Sequence, residues 1–154
     1  MSNVINALNE VVESKSSNKK PKIDWSNSPL LPIKRDKNSI GDFGEILYKN
    51  VIGSSATVVK KGHDVYVDDG SKVEVKTAFQ NTGGSFFFNQ IKSEKDWNKI
   101  AFVFVKPNAV EIWECDRSNL NLDVEFRLNN GYAWNKGSPS KLSPAWKKIY
   151  SEVY

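Results

Sequence analysis

Three residues carry the chemistry this sequence can offer. Glu74 and Lys76 stand two apart in Val73-Glu74-Val75-Lys76, and Asp64 precedes Glu74 by ten positions. Side chains alternate along a strand, so Glu74 and Lys76 share one face while Val73 and Val75 take the other. Whether Asp64 joins them depends on the register of the hairpin between. A three-residue loop, Asp68-Asp69-Gly70, pairs Val67 with Ser71 and hence Asp64 with Glu74, and Gly70 takes the left-handed position of such a loop. A two-residue Asp69-Gly70 turn instead sets Asp64 opposite Val75, on the wrong face, and the sequence permits both. In the first register two carboxylates face each other with Cβ atoms about 5 Å apart. Like charges so placed are destabilising unless something cationic lies between them. Lys76 helps, and a divalent ion helps more. Mg²⁺ favours one or two carboxylates together with waters and substrate phosphate. It lowers the pKa of a bound water and neutralises charge on a phosphate, while a lysine orients that water or stabilises the developing anion. The set suits hydrolysis of a phosphodiester.

Other chemistries find little support. A single cysteine, Cys115, leaves no internal disulfide and no cysteine zinc site. A single histidine, His63, argues against a histidine metal site or a Ser/His triad. The 154 residues argue for one domain. The longest dense apolar run, Ile100 to Val105, falls far short of the about 20 residues a membrane helix needs. The first residues carry Glu10 and Glu13 and no early basic cluster, unlike a signal peptide. The expectation is a cytoplasmic protein with no membrane partner.

Charge is uneven along the chain. Lys15, Lys19, Lys20, Lys22, Lys34, Arg35 and Lys37 outweigh Asp24 and Asp36 between residues 15 and 37. Lys136, Lys141, Lys147 and Lys148 outweigh Glu152 at the C-terminal end. Basic ends around a slightly acidic centre suit a polyanion such as DNA or RNA.

The positioning elements follow from periodicity and turn chemistry. Val4, Leu8, Val11 and Val12 form one stripe of a helix over about residues 3–14. Residues 15–38, with Pro21, Pro29 and Pro32, read as an irregular basic arm. Ser39, with Asp42 three residues on, is expected to cap a second helix whose buried side holds Ile40, Phe43, Leu47 and Val51, and Gly53 ends it. Strands are expected at Thr57–Lys60, His63–Val67, Ser71–Ala78, Ser85–Asn89 and Ala109–Glu114, with Ile100–Val105 as a central strand buried on both faces. A short polar helix is expected over Gln90–Trp97, and a last helix after Ser143-Pro144 with Trp146, Ile149, Tyr150 and Val153 on one side. This order makes an α/β or α+β layered domain.

Asp64, nine intervening residues and Glu74-Val75-Lys76 resemble the active-site pattern of the PD-(D/E)XK nucleases, the restriction-endonuclease-like superfamily. Gly44-Glu45 resembles the helix glutamate that many members carry upstream, and Gln90 the glutamine that some place beyond the lysine strand. The resemblance covers about residues 41–114 and leaves out the arm and the last 40 residues. His63 stands where the family name implies proline, a variable position.

The resemblance implies an α/β fold (an α+β sandwich) with a central mixed sheet of about five strands flanked by helices. Residues 1–38 then form an N-terminal helix and arm, and 39–154 the nuclease domain. It implies that Asp64 and Glu74 bind Mg²⁺, which Mn²⁺ can replace, with the Val75 carbonyl as a further ligand. Lys76 is then the catalytic lysine and Glu45 a supporting acid. Gln90, Lys34, Arg35 and His63 are candidate substrate contacts. The implied activity is Mg²⁺-dependent cleavage of duplex DNA, sequence-specific and carried out by a homodimer. The alternatives are a Holliday-junction or other structure-specific nuclease, a nuclease acting on RNA, and a non-catalytic nucleic-acid-binding module on the same fold.

Overall fold

The hairpin that decides the site forms through the three-residue loop. In a computed structural model, which describes residues 2–17, 22–59, 62–92, 95–120, 127–128, 132–134 and 138–154, Val67 N–H donates to Ser71 O at 2.9 Å and Gly70 has φ +94°. Strand β2 (Val65–Val67) therefore pairs with β3 (Lys72–Phe79) as Val65 with Val73 and Tyr66 with Lys72.

Around this hairpin the chain builds a six-stranded mixed sheet, in the order β1-β2-β3-β5-β6-β9. Its other strands are β1 (Ala56–Val58), β5 (Lys99–Val105), β6 (Ala109–Asp116) and β9 (Lys147–Val153). Among the described strands only β3 and β5 run parallel, with Glu74 beside Ile100 and Lys76 beside Phe102. The crossover between them carries β4 (Phe88–Ile91), which joins β7 (Arg127–Leu128) and β8 (Tyr132–Trp134) in a second, three-stranded sheet. The expected α/β class thus holds, with six strands in the main sheet.

The apolar run on β5 is buried on both faces because each face has its own cover. On one face Val73, Val75, Ala101 and Val103 pack under helix α3 (Lys37–Ile52) through its buried Tyr48. On the other, Ile100, Phe102 and Phe104 pack with Phe86, Phe88, Trp97 and Trp146. Phe86 and Phe88 point into this second cluster and Phe87, between them, is exposed. α3 lies very close to β3: a Cβ on Gly44 would stand 1.7 Å from Thr77 Oγ1. Only a residue without a side chain lets the helix approach so far.

Several expectations are corrected. The first helix, α1 (Asn3–Ser17), runs past residue 14, and Val4, Leu8 and Val11 on its stripe are exposed. The arm is not wholly irregular. Trp25 is buried, stacks on Phe79 with centroids 5.3 Å apart and donates Nε1–H to Gln80 O. A short helix, α2 (Leu31–Arg35), follows it. Asp36, not Ser39, caps α3: its carboxylate accepts from Asn38 N–H and from Ser39 Oγ–H. The Ser85–Asn89 strand lies at Phe88–Ile91 instead. No helix occurs among the described residues of 90–97, where Trp97 Nε1–H closes a turn onto Lys92 O. The expected last helix is strand β9. Ile149-Tyr150-Ser151-Glu152-Val153 is rich in strand formers, and the edge of β6 offers it a ladder that a helix would leave unpaired.

Candidate active site

The regular pairing of β2 with β3 begins at Val65, and the irregularity just before it shapes the site. Asp64 N–H donates to Val73 O at 2.9 Å, so Asp64 and Val65 both lie against Val73. The Asp64 side chain continues along the edge that the backbone has left. Its Oδ2 accepts from Val75 N–H at 2.9 Å. A strand residue directs its N–H and C=O to the same edge. The Val75 carbonyl therefore faces the gap beside Asp64.

Glu74 projects from β3 toward the aromatic face of the sheet and is 1% exposed. One carboxylate oxygen, Oε1, lies 3.9 Å from Lys76 Nζ. The other, Oε2, is buried and has no hydrogen-bond partner. A buried carboxylate with an unsatisfied oxygen is costly, and proton uptake relieves the cost. Burial, then the neighbouring Asp64 carboxyl, push the Glu74 carboxyl up to about 8, against the opposing pull of Lys76 and Lys95. Two acids and a lysine thus converge on one spot, and the lysine does not offset the cost of burying Glu74.

A rim of polar residues surrounds the pair. His63 Nδ1 lies 3.1 Å from Asp96 Oδ1, and Lys72 Nζ is 3.6 Å from Asp96 Oδ2. The His63 hydrogen bond, above all, holds the Asp96 carboxyl below its ordinary range. Lys95, in the same connection between β4 and β5, is near enough to act on the charge of Glu74. The sequence singled out neither Lys95 nor Asp96. Their partners lie on a distant stretch of chain, 33 positions away for Asp96 and His63, and no local pattern marks such a contact.

The other candidates sit on other elements. Glu45 is on α3, which packs on the Val75 and Thr77 side of the sheet, opposite to the face of Glu74. Gln90 is exposed on β4 with φ +57°, where the pairing with β8 slips between Phe88 and Ile91. Lys34 Nζ lies 5.6 Å from the centre of the Trp25 ring, and Trp25 stacks on Phe79. That places Lys34 at the far end of β3, about 16 Å along the strand from Glu74. Arg35 is exposed beside it on α2. A cavity of about 730 Å³ lined by Lys22, Gln80, Lys106 and Tyr154 also lies at that far end. It is not the carboxylate site, which lies at the other end of β3, where the pairing of β2 with β3 stops.

Among the described residues no group of three or more His, Cys, Asp and Glu side chains gathers as a metal cage. The donors that do converge are two carboxylates and the Val75 carbonyl edge, with Glu74 Oε2 unsatisfied. That set fits an ion such as Mg²⁺, which keeps several waters and takes few protein ligands. No helix among the described residues is long and apolar enough to cross a membrane. Neither the protein-family models nor the curated proteins provide a match to this chain.

Proposed function

We propose that the chain is a Mg²⁺-dependent DNA endonuclease built on a restriction-endonuclease-like core. The observation that carries this reading is the unsatisfied, buried Glu74 carboxylate set beside Asp64 and 3.9 Å from Lys76. A purely structural hairpin gains nothing from opposed acids on an apolar face, whereas a site for a cation and a phosphate requires them. A mixed sheet with helix α3 packed on one face supports the reading.

In this reading Asp64, Glu74 and the Val75 carbonyl hold the ion. When bound, the ion supplies an acidified water and charge neutralisation at the phosphate. Asp64 is kept in place by the Val75 N–H. Glu74 Oε2, which has no hydrogen-bond partner, would be the oxygen that takes the ion. Lys76, itself partly exposed, reaches from the same face to steer the attacking water or the developing anion. Lys95 and Lys72 add positive charge at the rim, where phosphates of a duplex would pass. The basic segments toward both ends extend that field, and a homodimer would bring two such sites to the two strands of a duplex.

The test is cleavage of long unmodified duplex DNA and of a four-way junction, each with Mg²⁺ or EDTA, beside the Glu74→Ala variant. Discrete duplex fragments that need both Mg²⁺ and Glu74 are expected. Cleavage of the junction alone would replace duplex specificity with structure specificity. DNA binding without cleavage, under Mg²⁺ and Mn²⁺ alike, would refute the enzyme reading.

A further inference from the structure

The Asp64 carboxylate can serve a metal only if the backbone that carries it is held in place, and Gly62, His63 and Asp64 lie outside the strands. Its support comes from across the site. A Cβ added to Gly62, whose φ is +79°, would lie 2.5 Å from Asp96 Oδ1, so the turn rests directly on that carboxylate. The same carboxylate meets His63 Nδ1 at 3.1 Å and Lys72 Nζ at 3.6 Å. The His63 side chain is 11% exposed, and an imidazole with one nitrogen on a carboxylate is fixed in tautomer and orientation.

The loop that presents Asp96 is anchored as well. Arg117 Nη1 donates to Lys95 O at 2.8 Å and to Trp97 O at 3.0 Å. The guanidinium lies 4.2 Å over the Trp97 ring, and Trp97, buried, ties back to Lys92 O. Asp96 is thus an exposed acid on a rigid mount, aimed at the turn that bears Asp64.

We propose that Asp96 is a positioning residue of the metal site, acting through His63 to hold Asp64 opposite Glu74. The inference rests on the metal-site reading above and extends it to a residue that touches neither metal nor substrate. Outer partners of metal-binding groups contribute about 10–100-fold to metal affinity or activity. Asp96→Ala is expected to weaken Mg²⁺ binding and to lower kcat by that factor, with KM for DNA little changed. Asp96→Asn keeps an acceptor for Nδ1–H and is expected to retain most of both.

His63 is the single histidine of the chain, so its imidazole ¹⁵N signals in the full-length protein are unambiguous. They are expected to report an Nδ1–H tautomer in the native protein and in Asp96→Asn, and loss of that preference in Asp96→Ala. Mn²⁺ alone is expected to broaden these signals in the native protein at concentrations that leave Asp96→Ala unaffected. If Asp96→Ala merely lowers Tm while its ion affinity and kcat stay native, the residue is structural and the inference is overturned. If the native protein binds Mn²⁺ beside His63 but does not cut DNA, the nuclease reading fails and the positioning role stands on the affinity difference. If the native protein binds no divalent ion, both fall together.

Discussion

Replacing Glu74 by its neutral isostere should stabilise the metal-free protein at alkaline pH. The folded protein holds the Glu74 carboxyl at about 8, against an ordinary value of 4.5. The folded state therefore keeps a proton that the unfolded state releases, and stability must fall as pH rises between these values. It is fully present below about 4.5 and lost as pH passes through about 8. At about 1.4 kcal/mol per pH unit, the interval corresponds to about 3–5 kcal/mol.

Glu74→Gln removes this penalty. It also removes the 3.9 Å pairing with the partly exposed Lys76, which is worth about 1 kcal/mol or less. At pH 8 and above, in EDTA, the variant should be more stable than the native chain by about 3 kcal/mol, or about 6–12 °C in Tm for a chain of this size. At pH 4.5 the two should coincide. Urea unfolding at half-unit steps from pH 4.5 to 9 measures the difference directly. Adding Mg²⁺ at pH 8 should raise the native chain by about 2.7 kcal/mol at a hundredfold excess over its dissociation constant, and Glu74→Gln by much less. Parallel pH–stability curves for the two proteins would refute the argument, because they would mean that Glu74 ionises as easily in the folded chain as in the unfolded one.

Lys76→Met keeps the aliphatic stem and loses the ammonium group. It should lower kcat for DNA cleavage by about 10²–10³-fold with KM within a few-fold, and a loss confined to KM would make Lys76 a binding residue only. Gly44→Ala drives a methyl group into Thr77 Oγ1, 1.7 Å from its Cβ position. It should destabilise the chain by about 1–3 kcal/mol or more in urea, with part of the loss recovered when Thr77→Ala is added. Native stability in Gly44→Ala would contradict the close seating of α3 on β3.

What the sequence revealed of this site follows from where its determinants lie. Asp68-Asp69-Gly70 is local turn chemistry, and the alternation of Val73 to Lys76 is local periodicity, so the hairpin and its charged face could be read directly. The bond from Val67 N–H to Ser71 O decides between the two registers that the letters alone left open. The C-terminal strand could not be read this way. Trp146, Ile149, Tyr150 and Val153 have helical spacing, and only the free edge of β6, more than thirty residues earlier, makes a strand the better solution. Trp25 was hidden by its setting among prolines and lysines, because the Phe79 ring that it stacks on belongs to a strand 54 positions away. The Lys95-Asp96 loop looked like a polar helix for the same reason. Its shape comes from Arg117 and Trp97, whose bonds to its carbonyls replace those a helix would make.

The break at Asp64 links fold to chemistry. Had β2 continued in the same register, His63 would stand opposite Val75 and its backbone would satisfy that edge, leaving the Asp64 side chain no role in the sheet. Because the strand stops, the carboxylate itself must take the Val75 N–H, which fixes one of its oxygens. The gap that opens lies beside the Val75 carbonyl, and Glu74 is left buried with its Oε2 unpartnered. A single missing ladder pair thus produces an anchored acid, a carbonyl edge and an unsatisfied acid around one point. The local cost to stability is the cost Glu74→Gln should recover. A cation would recover it too, which ties occupancy of the site to the stability of the strand that builds it.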